Sequence, residues 1–276
     1  MSMSIRTNIA SLNAQRNLYS TQTALDSSLS KLSSGFRITK AGDDAAGLGI
    51  STKLEAQIRS YGQAVRNAND GLSVIQSTES ALNEGANILT RLRELAMQSS
   101  SDGVGNSERQ YIQMEGGALV NELQRISQVA DYNGTKLLDG VTATLNFQVG
   151  IYSTSNDSIA FTTLNATTGT TGLNVASISM TTSASALAAL ASLDSALATV
   201  SSARATLGAN GNRLQSAINN IQSFSESLSA ANSRIKDVDV AEETSKMSRS
   251  QILLQAGVSV LAQANQMPQM ALKLLG

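Results

Sequence analysis

The chain has 276 residues, of which 3% are aromatic and 15% charged, and its formal net charge is -1. There is no Cys and no His, which removes a His base, a Cys nucleophile, thiolate or imidazole metal sites and disulfides in one step. The near-neutral balance leaves no electrostatic footprint for nucleic acid, no run of 18 apolar residues suggests a membrane span, and the start has no basic-then-apolar secretory pattern.

In chain order, residues 4 to 34 read as a first helix, with Ile5, Ile9, Leu12 and Tyr19 on one face. Leu18, Leu25, Leu29 and Leu32 lie on a neighbouring face. An irregular, Gly-rich link over 35 to 50 follows, carrying the adjacent acids Asp43 and Asp44. The next stretch repeats apolar residues at 3-4 spacing through Leu54, Ile58, Tyr61, Val65, Ala68, Leu72, Ile75, Glu79, Leu82, Ala86, Leu89, Arg93 and Ala96. A turn at 101 to 106 leads to a third helix over 107 to 130, with Ile112, Leu119, Leu123 and Ile126 on its face.

Asn133-Gly134 marks a tight turn. Beyond it, Leu145, Phe147, Val149 and Ile151 alternate with Asn146, Gln148 and Gly150, a strand pattern. The Ser/Thr-rich remainder up to residue 182 reads as hairpins and solvated loops. A second long helix, 183 to 235, carries Leu190, Leu193, Leu197, Val200, Arg204, Leu207, Gly211, Leu214, Ile218, Ile221, Ser225, Leu228, Asn232 and Ile235. Its polar interruptions either mark a weaker seam or fix register among several helices, and in both cases argue against a tight two-stranded coiled coil. A last helix spans about 241 to 266, with Met247, Leu254, Val258 and Leu261 on one face, and Pro268 is expected to end it.

The fold expected is mainly α: a long antiparallel helical rod of paired amino- and carboxy-terminal segments, with small β-hairpins in the middle of the chain. Its parts would be a terminal helical layer (1–40 and 240–276), a helical rod domain (41–140 and 183–239) and a short variable region (141–182).

Specific residues then carry a resemblance. Leu32-Ser-Ser-Gly-Phe-Arg-Ile-Thr39, continuing through Asp43-Asp-Ala-Ala-Gly-Leu48, resembles the amino-terminal region of bacterial flagellin, as do Ser11-Leu-Asn-Ala-Gln-Arg-Asn17, Ala64 to Leu72, Leu92 to Ala96 and Asn133 to Leu138. Leu207-Gly-Ala-Asn210, Ser233-Arg-Ile235, Asp237-Val-Asp239, Ile252 to Gly257 and Gln263 to Gln266 are similar to its carboxy-terminal region. The match is colinear over roughly 4 to 140 and 185 to 275.

The resemblance implies a non-enzymatic, cofactor-free structural subunit that polymerises with copies of itself into a hollow extracellular flagellar filament, used as a propeller. The hook–filament junction adaptor is the alternative. It implies export unfolded through the flagellar export apparatus, with an export chaperone and with cap and junction proteins as partners. The residues expected at the polymerisation interface are Ile5, Ile9, Leu12, Leu25, Leu29, Leu32, Arg37, Asp43, Asp44, Met247, Leu254, Val258 and Leu261. Asp43 and Asp44 also admit the plain reading of a solvated turn, and they lack the alternating ligands of a Ca²⁺ loop. Arg91, Leu95 and Glu115 stand where receptor-recognised flagellins face host innate receptors; the plain reading of Arg91 and Glu115 is a surface pair on facing helices.

Overall fold

The structure is a computed structural model that describes residues 7–141 and 144–275, with side chains described as far as residue 266. Five helices dominate: α1 (Ile9–Ser34), α2 (Ala45–Ser100), α3 (Asn106–Val129), α4 (Ser183–Lys236) and α5 (Val240–Leu275). Between α3 and α4 lie two antiparallel hairpins, β1 (Asp131–Tyr132) with β2 (Thr135–Lys136) and β3 (Thr144–Gln148) with β4 (Ser158–Thr162). The mainly α architecture with small hairpins in the middle is as the periodicity predicts.

Contacts divide the chain into two compact units, residues 1–58 with 226–276 and residues 59–225, the boundaries falling inside α2 and α4. In the second unit α2 and α4 run antiparallel. Tyr61 stacks on Phe224, with ring centroids 6.4 Å apart. Glu79 meets Arg204 at 3.8 Å and Arg93 meets Asp194 at 2.6 Å. Going from Tyr61 to Arg93 advances 32 residues while going from Phe224 to Asp194 retreats 30, so the register holds along the pair. Two of the polar breaks in the stripes, Glu79 and Arg204, therefore face each other.

The core of this unit is built from Ile75, Leu82, Leu89 and Leu92 of α2, Ile112 and Leu123 of α3, Leu193, Val200, Leu207 and Leu214 of α4, and Phe161 and Val175 from the middle. α2 buries a wider band than the 3-4 series marks: Val74, Thr78, Ile88, Leu92 and Leu95 are buried as well. The added line serves α3 and the hairpins. Gly71 shows the tightness of that contact, because a Cβ there would stand 2.9 Å from Cγ of Phe147 on β3. By length and composition, α4 alone among the described helices is apolar enough to cross a membrane. Its stripe from Ala186 to Ile221 lies buried within this unit.

The carboxy-terminal end of α2 is closed by Arg109, a buried side chain that donates to the carbonyls of Ser99 and Ser101, each at 2.9 Å. The hydroxyl of Ser183 donates to Ser100 O at 2.8 Å. Carbonyls left open at a helix end carry negative partial charge, and a guanidinium satisfies two of them together.

Several boundaries differ from the sequence reading. The link after α1 is shorter than 35–50, because Asp44 caps α2: its Oδ1 accepts the Gly47 N–H at 2.8 Å, so the helix starts at Ala45. β3 stops at Gln148 rather than running to Ile151, since the N–H groups of Val149 and Gly150 both turn to Asp157 O. Thr168, in the Ser/Thr-rich middle, is buried and accepted by Gln124, whose Oε1 takes hydrogen bonds from both its N–H and its hydroxyl at 2.8 Å. Pro268 does not end α5, which continues to Leu275.

Candidate assembly surface

The unit formed by both chain ends is assembled differently. α1 begins on Asn8, whose Oδ1 accepts the Ser11 N–H at 3.1 Å, and ends at Gly35, whose left-handed φ of 75° suits a residue without Cβ. α1 and α5 pack antiparallel: Asn8 Nδ2 donates to Ala264 O and Ser11 Oγ to Asn265 Oδ1, both at 2.8 Å. Further along, a Cβ on Gly257 would lie 2.9 Å from Leu18 Cδ1. The helices thus touch through small residues. Ser11, Ser28 and Ala264 are buried, whereas the large apolar side chains are not.

Ile9 is 64% exposed, Leu12 51%, Tyr19 78%, Leu29 57%, Ile252 66% and Val258 53%. Leu25, Leu32, Met247, Leu254 and Leu261 are half-buried. Ile5 lies outside the described residues. A groove of about 420 Å³ lined by Gln15, Leu18, Tyr19, Gln22, Leu254 and Val258 runs between the two helices.

The segment joining α1 to α2 is held by the end of α4. Arg37 donates from its backbone N–H to Lys236 O and from its guanidinium to Ile235 O, each at 2.7 Å. Val238 N–H donates to Gly35 O at 3.0 Å, and Lys236 Nζ lies 4.5 Å over the Phe36 ring while pairing with Glu55. Ile38, only 3% exposed, sets its Cδ1 against Gly47, where an added Cβ would stand 2.8 Å away.

Both acids of the link have partners within the chain. Asp43 Oδ2 accepts from Thr39 N–H, Thr39 hydroxyl and Lys40 N–H, each at 3.0 Å. The backbone donor of Thr39 is the main reason its carboxyl sits below the ordinary Asp range, followed by that of Lys40. Asp44 caps α2 and lies 3.9 Å from Arg37. Among the described residues no group of three or more acids could hold a metal.

Arg91 and Glu115 form a surface pair on facing helices at 2.9 Å, and Arg91 also reaches Glu94 at 3.0 Å. The Glu94 and Glu115 hydrogen bonds, in that order, raise the guanidinium pKa. Leu95 corrects the sequence reading. At 2% exposure it points into the core beside Leu92, because the α2 stripe that faces α3 includes it. A hollow of about 510 Å³ opens in the larger unit, but Thr78, Phe161, Thr199, Ser202 and their neighbours line it without an acid or a base.

The comparisons bear on what such a surface serves. The chain matches the bacterial flagellin N-terminal helical region over residues 5–143 and the bacterial flagellin C-terminal helical region over 190–275. It is 43% identical to a flagellin of Halalkalibacterium halodurans over 273 residues, covering 99% of this chain and 100% of that one. It is 41% identical to a flagellin of Bacillus subtilis over 305 residues, and 39% identical to the flagellar filament 33 kDa core protein of Treponema phagedenis over 285; each alignment covers 99% of this chain and 100% of the relative. A crystal structure of Bacillus cereus flagellin aligns with 56% of this chain and 88% of its own at TM-score 0.49 and 23% identity. Matched at both ends by the family's two helical regions and along its length by full-length relatives, the chain belongs to the bacterial flagellin family.

Proposed function

We propose that this flagellin-family chain is the repeating structural subunit of an extracellular flagellar filament and performs no chemistry of its own. The observation that carries the reading is the half-finished burial of α1 and α5: nine large apolar side chains among their described residues stay more than half exposed in the single chain. Copies of the chain supply the missing partners. Such contacts join different patches on successive copies, and with a rotation between copies that does not close into a ring, addition continues as a helical tube.

In this reading the terminal layer (1–40 and 240–276) polymerises, residues 41–140 and 183–239 form the helical rod domain, and residues 141–182 form a short variable region. Ile9, Leu12, Leu25, Leu29, Leu32, Met247, Leu254, Val258 and Leu261 lie in contacts between copies, and Ile5 belongs with them. Arg37, Asp43 and Asp44 act first within the chain, shaping the link whose outer surface a neighbour meets. The free subunit leaves its ends largely unfolded for passage through the flagellar export apparatus. An export chaperone covers them before export, and cap and junction proteins meet them at the filament's two ends. For host innate receptors, the exposed elements are Arg91 and Glu115 rather than Leu95.

Each of the relatives above is named a flagellin or a filament core protein, so the junction-adaptor alternative draws no support from them. Electron microscopy of the purified chain at high concentration tests the proposal. Long tubes are expected; particles that fail to extend under conditions that seed growth would replace the filament reading with an adaptor one.

A further inference from the structure

Pro268 lies inside α5, one helical turn beyond Ala264. In an uninterrupted helix the amide of residue 268 donates to the carbonyl of residue 264, and proline has no amide hydrogen to give. That carbonyl is not left open. Ala264 O accepts from Asn8 Nδ2 at 2.8 Å, and Ala264 is only 6% exposed, which leaves water little access to the position. The other end of the same side chain, Oδ1, accepts the Ser11 N–H and so caps α1. One donor partner and one acceptor partner settle which end of the amide is which. Ser11 Oγ to Asn265 Oδ1 adds a second bond beside it.

We propose that Asn8 is a latch that couples the two chain ends, so that α1 starts and α5 passes through its proline only together. Asn is the residue type the position requires. Asp and Ser can cap a helix, but an ionised Asp has no donor and the Ser hydroxyl stops one heavy atom short of the Asn Nδ2 position. A helix through Pro268 is costly while Ala264 O stays unsatisfied, and the α1 cap satisfies it. Ordering of residues 264–275 therefore depends on residue 8, 256 positions away along the chain. This stands on contacts within one chain and holds whether or not the chain forms filaments.

The test compares four full-length chains: wild type, Asn8→Ser, Pro268→Ala and the double variant. Hydrogen exchange is followed in peptides covering 1–18, 259–276 and 183–225, in whichever state the wild type adopts at high concentration, pelleted or soluble. Asn8→Ser keeps a cap and loses the longer amide donor that reaches Ala264 O, so it should speed exchange in 259–276 roughly fivefold and leave 183–225 unchanged. Pro268→Ala restores the amide at 268. In that background Asn8→Ser should leave 259–276 unaffected, and the double variant should regain any ordering or pelleting that Asn8→Ser alone has lost. The latch is overturned if Asn8→Ser speeds exchange in 259–276 equally in both backgrounds, or in 1–18 alone. It is equally overturned if 259–276 in the wild type exchanges as an unprotected peptide.

Discussion

Leu214 and Leu254 sit on the same kind of 3-4 stripe, each in a long helix and each followed by a Gln and a small residue. Leu214 is 0% exposed, packed among α2, α4 and the hairpin residue Phe147, which also crowds Gly71. Leu254 lines an open groove and is only partly buried. The same contrast holds for the regions around them. In residues 59–225 the apolar cluster is continuous from Ala64 to Ile221, whereas among the described residues of the terminal unit the buried set is mostly small or polar: Ser11, Ser28, Ser51, Ala264 and the larger Ile38 and Glu243. Along α4 itself the buried stripe ends at Ile221, and Ser225, Leu228, Asn232 and Ile235 continue it only half-buried. An amphipathic pattern states that a face will be covered; whether by its own chain or by another copy is decided by what the rest of the chain brings to it.

The largest effect should come from placing a charge on the unfinished face. Leu261→Asp puts an unpaired carboxylate into the contact at every subunit and should abolish pelletable polymer. Ser177→Asp, on an exposed turn of the middle region, should pellet like wild type. Next comes the finished core. Leu214→Ala removes a fully buried side chain and should lower the stability of the free chain by about 2–5 kcal/mol in a urea melt. Leu254→Ala should leave that melt within ~1 kcal/mol of wild type but raise the concentration needed for polymer. The reverse ranking would erase the distinction between the two regions.

Arg109→Met tests how much of the larger unit's stability is polar. The buried Ser99 carbonyl and the more exposed Ser101 carbonyl lose charged donors, at an expected cost of about 1.5–3 kcal/mol in the same melt. The smallest effect belongs to the link. The folded-state pKa of Asp43 lies below its unfolded value, so its contribution is complete above about pH 4 and is lost as pH falls through the depressed folded value. Amide chemical shifts of Thr39 and Lys40 should report that loss on acidification, and Asp43→Asn should remove the titration.

Much of this was legible in the sequence because helical periodicity survives without knowledge of partners. The stripes placed α2, α3 and α4 to within a few residues at most ends, and Asn133-Gly134 marked a hairpin turn that has φ of 49° and 80° at those two residues. What escaped was set by particular side-chain hydrogen bonds, one of them across 256 residues. Asp44 advances the start of α2, Arg109 closes its end, and Asn8 answers the carbonyl that Pro268 leaves open. No local pattern around Pro268 announces a donor 256 residues away. Leu95 failed for a different reason: its helix buries two adjacent lines of side chains, and the 3-4 series traced only one.

Hydrogen exchange on the wild-type chain before and after polymerisation tests the contrast between the two units most directly. The account predicts that peptides from 1–34 and 240–275 pass from weak to strong protection on assembly, while those from 74–96 and 189–221 are strongly protected in both states. Equal protection of the terminal helices in the free and assembled chain, or loss of protection from 74–96 in the free chain, would contradict it.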